Sequence, residues 1–194
     1  MYTIILDSSN TELSIGLVRE GILLDSTSYE AWQQQSEFMV KELAVLLDKY
    51  KVKNEDIKDI IVSIGPGSYT GVRISLTIAK TIATALNIDI YPVSSLRVKK
   101  CDNKPSICLI NARGNRSYFG VYFENQIIVN DMILSNDEVR KYIEEHPDYV
   151  ICGDTKYLGI EGYKADVLKQ ALSLYKSLEK CESTLGLKPV YLKD

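Results

Sequence analysis

Histidine is almost missing from this chain of 194 residues. The one present, His146, sits in Glu144-Glu145-His146-Pro147 at the expected end of a helix. One imidazole among scattered cysteines makes no recognisable metal centre, and it has no motif around it for a Ser/His/Asp nucleophile. The cysteines are four, at 101, 108, 152 and 181, with no Cys-x-x-Cys pair among them. A basic excess is also lacking: the net charge is -3, which argues against strong independent binding of nucleic acid. The densest local basic cluster is Arg97, Lys99, Lys100 and Lys104. No apolar run approaches the roughly 20 residues of a membrane span, and the opening MYTIILDSSN lacks the basic and apolar blocks of a signal peptide. The expectation is a soluble, cytoplasmic protein with no membrane contact. Low-complexity and proline-rich linkers are absent too, so any lobes are expected to be joined rigidly.

What is present is enough apolar sequence, 45% of residues, for a sizeable core. Residues 2–6, 12–19 and 22–29 read as three strands in an antiparallel meander, with a tight turn at Glu20-Gly21. A helix over 34–50, a strand over 60–64, a helix over 70–86 and a strand over 88–93 follow, giving βββαβαβ. The pattern then restarts, with strands over 106–110, 117–123 and 126–133, a helix over 136–145, a strand over 149–152 and a helix over 164–180. A doubled βββαβαβ unit with a shortened second copy predicts an α/β protein of two mixed-sheet lobes, residues 1–96 and 97–194. It is the plan of the actin-like ASKHA superfamily, whose ribonuclease H-like lobes face each other across a cleft.

The most constrained segment joins the strand at 60–64 to the helix at 70–86 through Gly65-Pro66-Gly67-Ser68-Tyr69-Thr70-Gly71. Glycine permits close approach of a ligand or another backbone, Pro66 stiffens the turn, and Ser68 or Thr70 can cap the helix. An anion could sit at such a helix entry, but phosphate-loop spacings fail. Five residues separate Gly65 from Gly71, and Val72 stands where a P-loop needs lysine. The dinucleotide pattern meets Thr70 where its third glycine should be. The alternative is a tight turn whose glycines let the helix pack closely on its sheet.

The helices carry more apolar surface than one sheet requires. Ile74, Ile78, Ile82 and Ala85 fall on one side of the second helix, with Val72, Leu76, Ala79, Ala83 and Leu86 adjoining. Together they span an arc of roughly 200°, where a surface helix needs about 100°. The first helix places Met39, Val40, Leu43, Ala44, Leu46, Leu47 and Tyr50 on one arc, with Phe38 and Val45 outside it. The surplus is expected to pack between the two helices or against another subunit.

The segment Gly65 to Ile74, with Ala79-Lys80 and Pro92-Val93-Ser94-Ser95-Leu96, closely resembles the signature of the TsaB (YeaZ) family. Ile4-Ile5-Leu6-Asp7-Ser8-Ser9, Asn111-Ala112-Arg113 and Pro189-Val190-Tyr191-Leu192-Lys193 are similar to further family segments. The resemblance spans the chain, densely in its first half. It implies a part in the bacterial machinery that places threonylcarbamoyl on the adenosine beside the anticodon of tRNAs reading codons that begin with A. In that system TsaD transfers the group and the ATPase TsaE supports turnover. Members of this family are implied to be non-catalytic partners of TsaD that can also self-associate. Their interface is a bundle of the two first-lobe helices, here carrying Met39, Leu43, Leu46, Val72, Leu76, Ile78, Ala79, Ile82 and Ala83. tRNA would be met through the complex, no intrinsic cofactor is implied, and ATP would enter only at a complex interface. Gln35 and Asn111 depart from the family's histidine and aspartate.

Asp7 ends the first strand, where an ASKHA kinase holds its metal-nucleotide complex. Phosphoryl transfer asks for a phosphate-binding turn and a second carboxylate across the cleft. Here Ser8-Ser9-Asn10 lacks the usual glycine and the second lobe offers Asn111. Two readings of Asp7 result: the cap of a turn, or a remnant of a nucleotide cleft with Ser8 and Asn111. The corresponding functional alternatives are an accessory subunit and a small ASKHA enzyme with a degenerate cleft. Arg73 and Lys80 lie on the polar side of the second helix, where solvation is the default. Arg73 could instead brace the loop or meet a partner's carboxylate.

Overall fold

The computed structural model describes residues 1–31 and 33–192; Lys193 of the C-terminal segment quoted above lies outside them. The first lobe comprises β1 (Tyr2–Asp7), β2 (Glu12–Arg19), β3 (Ile22–Glu30), α1 (Gln35–Lys49), β4 (Ile57–Ser63), α2 (Tyr69–Leu86) and β5 (Asp89–Val93). Its strands lie in the order β3-β2-β1-β4-β5. The β1–β2 and β2–β3 pairs are antiparallel, while β1–β4 and β4–β5 are parallel. The second lobe comprises β6 (Ser106–Asn111), β7 (Arg116–Phe123), β8 (Gln126–Ser135), α3 (Asn136–Glu145) and β9 (Val150–Gly153), ordered β8-β7-β6-β9. The two sheets repeat one topology, and the second has one strand fewer.

The period-2 alternation of the strands decides which layer each side chain enters. On β1, Ile4 and Leu6 join Ile60 and Val62 of β4 under α1 and α2. Ile5 and Ile61 point the other way, into a layer closed by Leu168, Ala171 and Leu174. Those three belong to α4 (Val167–Leu174), the helix expected over 164–180 as part of the second lobe. It is shorter than expected because Asp166 caps its start, accepting from the amides of Leu168 and Lys169, and a 3-10 turn ends it. It also packs on the first sheet. The partition at 96/97 therefore describes the two sheets, while the chain from α4 onward returns to the first lobe. Each fully buried aliphatic side chain in these layers contributes about 1.5–3 kcal/mol, so α4 is an integral wall of the first lobe.

The connection between sheets is buried. Val98 enters the layer beneath α4, and Leu96 packs with Cys101, Cys108, Ile110, Tyr122 and Cys152 against the second sheet. Lys99 and Lys100 are buried as well, so the basic cluster expected around Arg97 to Lys104 is not an exposed patch. A polar cluster fastens this joint. Ser94 Oγ donates to Asp131 Oδ2 at 2.6 Å and accepts from the amides of Leu96 and Arg97. The Tyr122 hydroxyl donates to the other carboxylate oxygen of Asp131. Burial pushes the Asp131 carboxyl above its ordinary range, against the pull of the Ser94 and Tyr122 hydrogen bonds.

Candidate functional site

The glycine segment is a junction of main chains. A methyl group on Gly71 would lie 1.9 Å from the Ser8 carbonyl oxygen, and one on Gly67 would lie 2.2 Å from that of Ser9. Across this contact the Ser68 amide donates to Ser9 O at 2.8 Å and Ser8 Oγ donates to Gly71 O at 2.7 Å. Ser68 also caps α2, its Oγ accepting from the Gly71 amide at 3.2 Å. Ser95 binds Gly65 through both its side chain and its amide. The Ser-Ser pair after β5 thus secures one end of the loop and, through Ser94, the second lobe. The glycines let the β1–β2 turn press carbonyl oxygens against the loop and the start of α2.

Asp7 is buried, and its Oδ1 accepts from the Ser9 amide at 2.8 Å. Asn111, at the matching end of β6, accepts from the Arg113 amide at 2.8 Å. The two lobes form the same Asx turn, once with a carboxylate and once with an amide, so the turn needs an acceptor oxygen and no charge. Between the lobes lies a cleft of about 580 Å³, lined among others by Asn10, Gln35, Thr70, Asn111, Arg113 and Asp154. Asn111 faces it, whereas Asp7 and Ser8 do not line it. Asp154 was not marked by any motif; only its position after β9 places it there. Gln35 is buried at the start of α1, donating to Asn10 O at 3.2 Å. Among the described residues no group of three or more His, Cys, Asp or Glu could hold a metal ion.

A second concavity, about 470 Å³, runs between the N-terminal halves of α1 and α2 and is lined by Ser36, Val40, Tyr69, Ile74, Thr77 and Ile78 among others. Val40 is 56% exposed and Tyr69 59% exposed. Arg73 lies at its edge, its guanidinium 5.0 Å from the centre of the Tyr69 ring and its NH1 donating to the Tyr69 hydroxyl. Of the nine residues expected on a partner face, Met39, Leu43, Leu46, Leu76, Ala79 and Ala83 are buried against the lobe's own sheet, and Val72 is buried as well. Only Ile78 and Ile82 remain partly exposed. The reason is geometric: an apolar arc of roughly 200° contains both a sheet-facing and an outward half, and a helical wheel does not mark where the sheet lies. Ile74, Ile78 and Ile82 supply the outward half, with Val40 of α1 and Tyr69 exposed beside them.

Topology and sheet order thus define a two-lobed ribonuclease H-like protein of the actin-like ASKHA class, with an apolar groove on its helical face. A sequence profile described as "TsaD: tRNA N6-adenosine threonylcarbamoyltransferase" matches residues 29–145, and the chain belongs to the TsaB (YeaZ) family. A Mycoplasma genitalium protein described as "Uncharacterized protein MG208" is 31% identical over 100% of this chain and 95% of its own length. The Bacillus subtilis "tRNA threonylcarbamoyladenosine biosynthesis protein TsaB" is 35% identical over 63% of this chain, a match spanning 55% of that protein. In structure, YeaZ from Pseudomonas aeruginosa superposes with a TM-score of 0.79 at 21% identity, covering 98% of this chain and 99% of that one. This likeness concerns the fold.

Proposed function

We propose that this chain is a non-catalytic subunit of the bacterial tRNA threonylcarbamoyladenosine machinery, docking through the α1–α2 face on the transferase TsaD and supporting its activity. The observation that carries the reading is the exposed apolar groove between two helices that both lie inside the segment matched by the transferase profile. A partner built on that same segment presents an equivalent helix pair, so the two faces can meet as related surfaces around an approximate twofold axis. The names of the TsaB relatives support assignment to threonylcarbamoyladenosine formation. The engagement of Asp7 in a turn favours an accessory role over phosphoryl transfer. In this reading TsaE acts within the complex, tRNA is bound by the assembly, ATP enters at a shared interface, and the same face allows a homodimer when TsaD is absent.

The test is a mass measurement of the purified chain alone and mixed with TsaD, paired with a threonylcarbamoyl transfer assay. A one-to-one complex is expected, with transfer raised by the chain and no transfer by the chain alone. Val40→Glu should weaken the complex by more than about tenfold, because an unpaired carboxylate would be buried. Transfer or phosphoryl chemistry by the isolated chain, lost in Asp7→Ala, would overturn the proposal.

A further inference from the structure

Residues 178–192 contain neither helix nor strand, yet they are fastened to the first lobe along their length. The Cys181 amide donates to Ile90 O of β5 at 2.9 Å. Leu187 packs against the core beneath α2. Lys80 Nζ, on the flank of α2, donates to two main-chain carbonyls, Leu185 O at 2.8 Å and Leu187 O at 2.9 Å. Further on, the Val190 amide donates to Ile64 O at 2.7 Å. There the backbone passes so close to Gly65 that a methyl group at that residue would sit 2.7 Å from Val190 O. The strap ends by laying Tyr191 on Tyr69, ring centres 5.1 Å apart and planes 25° from parallel.

Tyr69 thereby joins two neighbours in one cluster, with Tyr191 stacked on its ring and the Arg73 guanidinium over it. The cluster borders the α1–α2 groove, since Tyr69 and Arg73 both line it. It is not finished as a core would be, because Tyr191 is still 49% exposed. Half-covered aromatic rings beside an arginine, continuous with an apolar groove, have the composition of an interface anchor.

We propose that the C-terminal strap is part of the docking surface. Tyr191 contacts the partner as the rim of the α1–α2 groove, and Lys80 is the positioning residue that seats the strap. This rests on the docking reading above, with the helix pair of the transferase as the occupant. It gives the signature lysine a task that solvation does not, because its ammonium group holds two carbonyls of a segment more than 100 residues away.

The experiment measures affinity for TsaD by calorimetry, with thermal unfolding of every variant alongside. Tyr191→Ala is expected to weaken binding by about tenfold while the Tm moves by no more than about 3 °C. Tyr191→Phe, which keeps the stacked ring, should bind as the unaltered chain does. Lys80→Met should weaken binding and speed amide exchange at Leu187 and Val190, and Lys80→Arg should restore both. If the unaltered chain fails to bind TsaD, the docking reading falls and the strap proposal with it. If Val40→Glu weakens the complex while Tyr191→Ala and Lys80→Met bind normally, docking stands and the strap proposal is overturned. Loss of affinity that Tyr191→Phe does not restore also overturns it.

Discussion

Replacing Gly71 with alanine sets two effects of opposite sign against each other. In a helix, alanine is favoured over glycine by about 1 kcal/mol, so propensity alone predicts a more stable protein. The Cβ, however, would stand 1.9 Å from the Ser8 carbonyl oxygen and 3.1 Å from its carbon, whereas non-bonded carbon contacts settle at about 3.5–4.0 Å. Both sides of this contact are main chain, so no side-chain rotation relieves it. Separating them by the necessary distance breaks the Ser8 Oγ to Gly71 O and Ser68 N to Ser9 O hydrogen bonds, at about 1 kcal/mol each. Overpacking adds about 1–3 kcal/mol. Less the helix gain, the net loss is about 2–4 kcal/mol, which at about 2–4 °C per kcal/mol for a chain of this size lowers Tm by about 4–16 °C. Thermal and urea unfolding followed by circular dichroism would measure it. Gly114→Ala serves as control: that glycine has φ +63 but open space around it, so its cost is backbone strain alone. A Gly71→Ala protein as stable as the parent, or more so, would refute the close-contact account of the signature.

Two further outcomes follow from the same geometry. Asp7→Asn keeps the oxygen that accepts from Ser9 and should change stability by less than about 1 kcal/mol, whereas Asp7→Ala should cost about 1–2 kcal/mol. Equal losses in urea unfolding would show that the charge matters after all. Cys181, the one cysteine of the four that is not buried, should react first with a thiol reagent, as read by mass spectrometry of the digested protein. Burial holds the Cys108 thiol well above its ordinary pKa, so it should resist labelling until the chain unfolds, and labelling at the rate of Cys181 would contradict its burial.

Alternation and turn chemistry made most of the first lobe legible. The β2 span Glu12–Arg19 and the α3 span Asn136–Glu145 coincide with their expected ranges, because Gly21 marks the turn after β2 and Ser135 caps α3. The non-local parts were not legible. Nothing in the run Val167–Leu174 says that its apolar stripe meets Ile5 and Ile61, more than 100 residues earlier, since any apolar sheet face would accept it. The burial of most residues expected on the partner face has a related reason: periodicity fixes which residues share a side of a helix, and burial depends on where the sheet stands. Tyr69 was read as part of the glycine loop, although it begins α2 and lies largely in solvent. Asp154 and Tyr191 reach their places through backbone pairing, for which a local pattern carries no signal.

The return of α4 to the first sheet has a consequence for how the chain is made. When β5 has left the ribosome, five strands can pair, but Ile5, Ile61 and Val93 still lack the helix that covers them. That helix is completed roughly 80 residues later, on the order of 5–15 s at about 5–20 residues per second. During this interval one face of the nascent sheet is bare and adhesive. Premature termination between Val93 and Leu174 would leave a fragment that has the strands of the first sheet but not its seal, a substrate for chaperones and proteases.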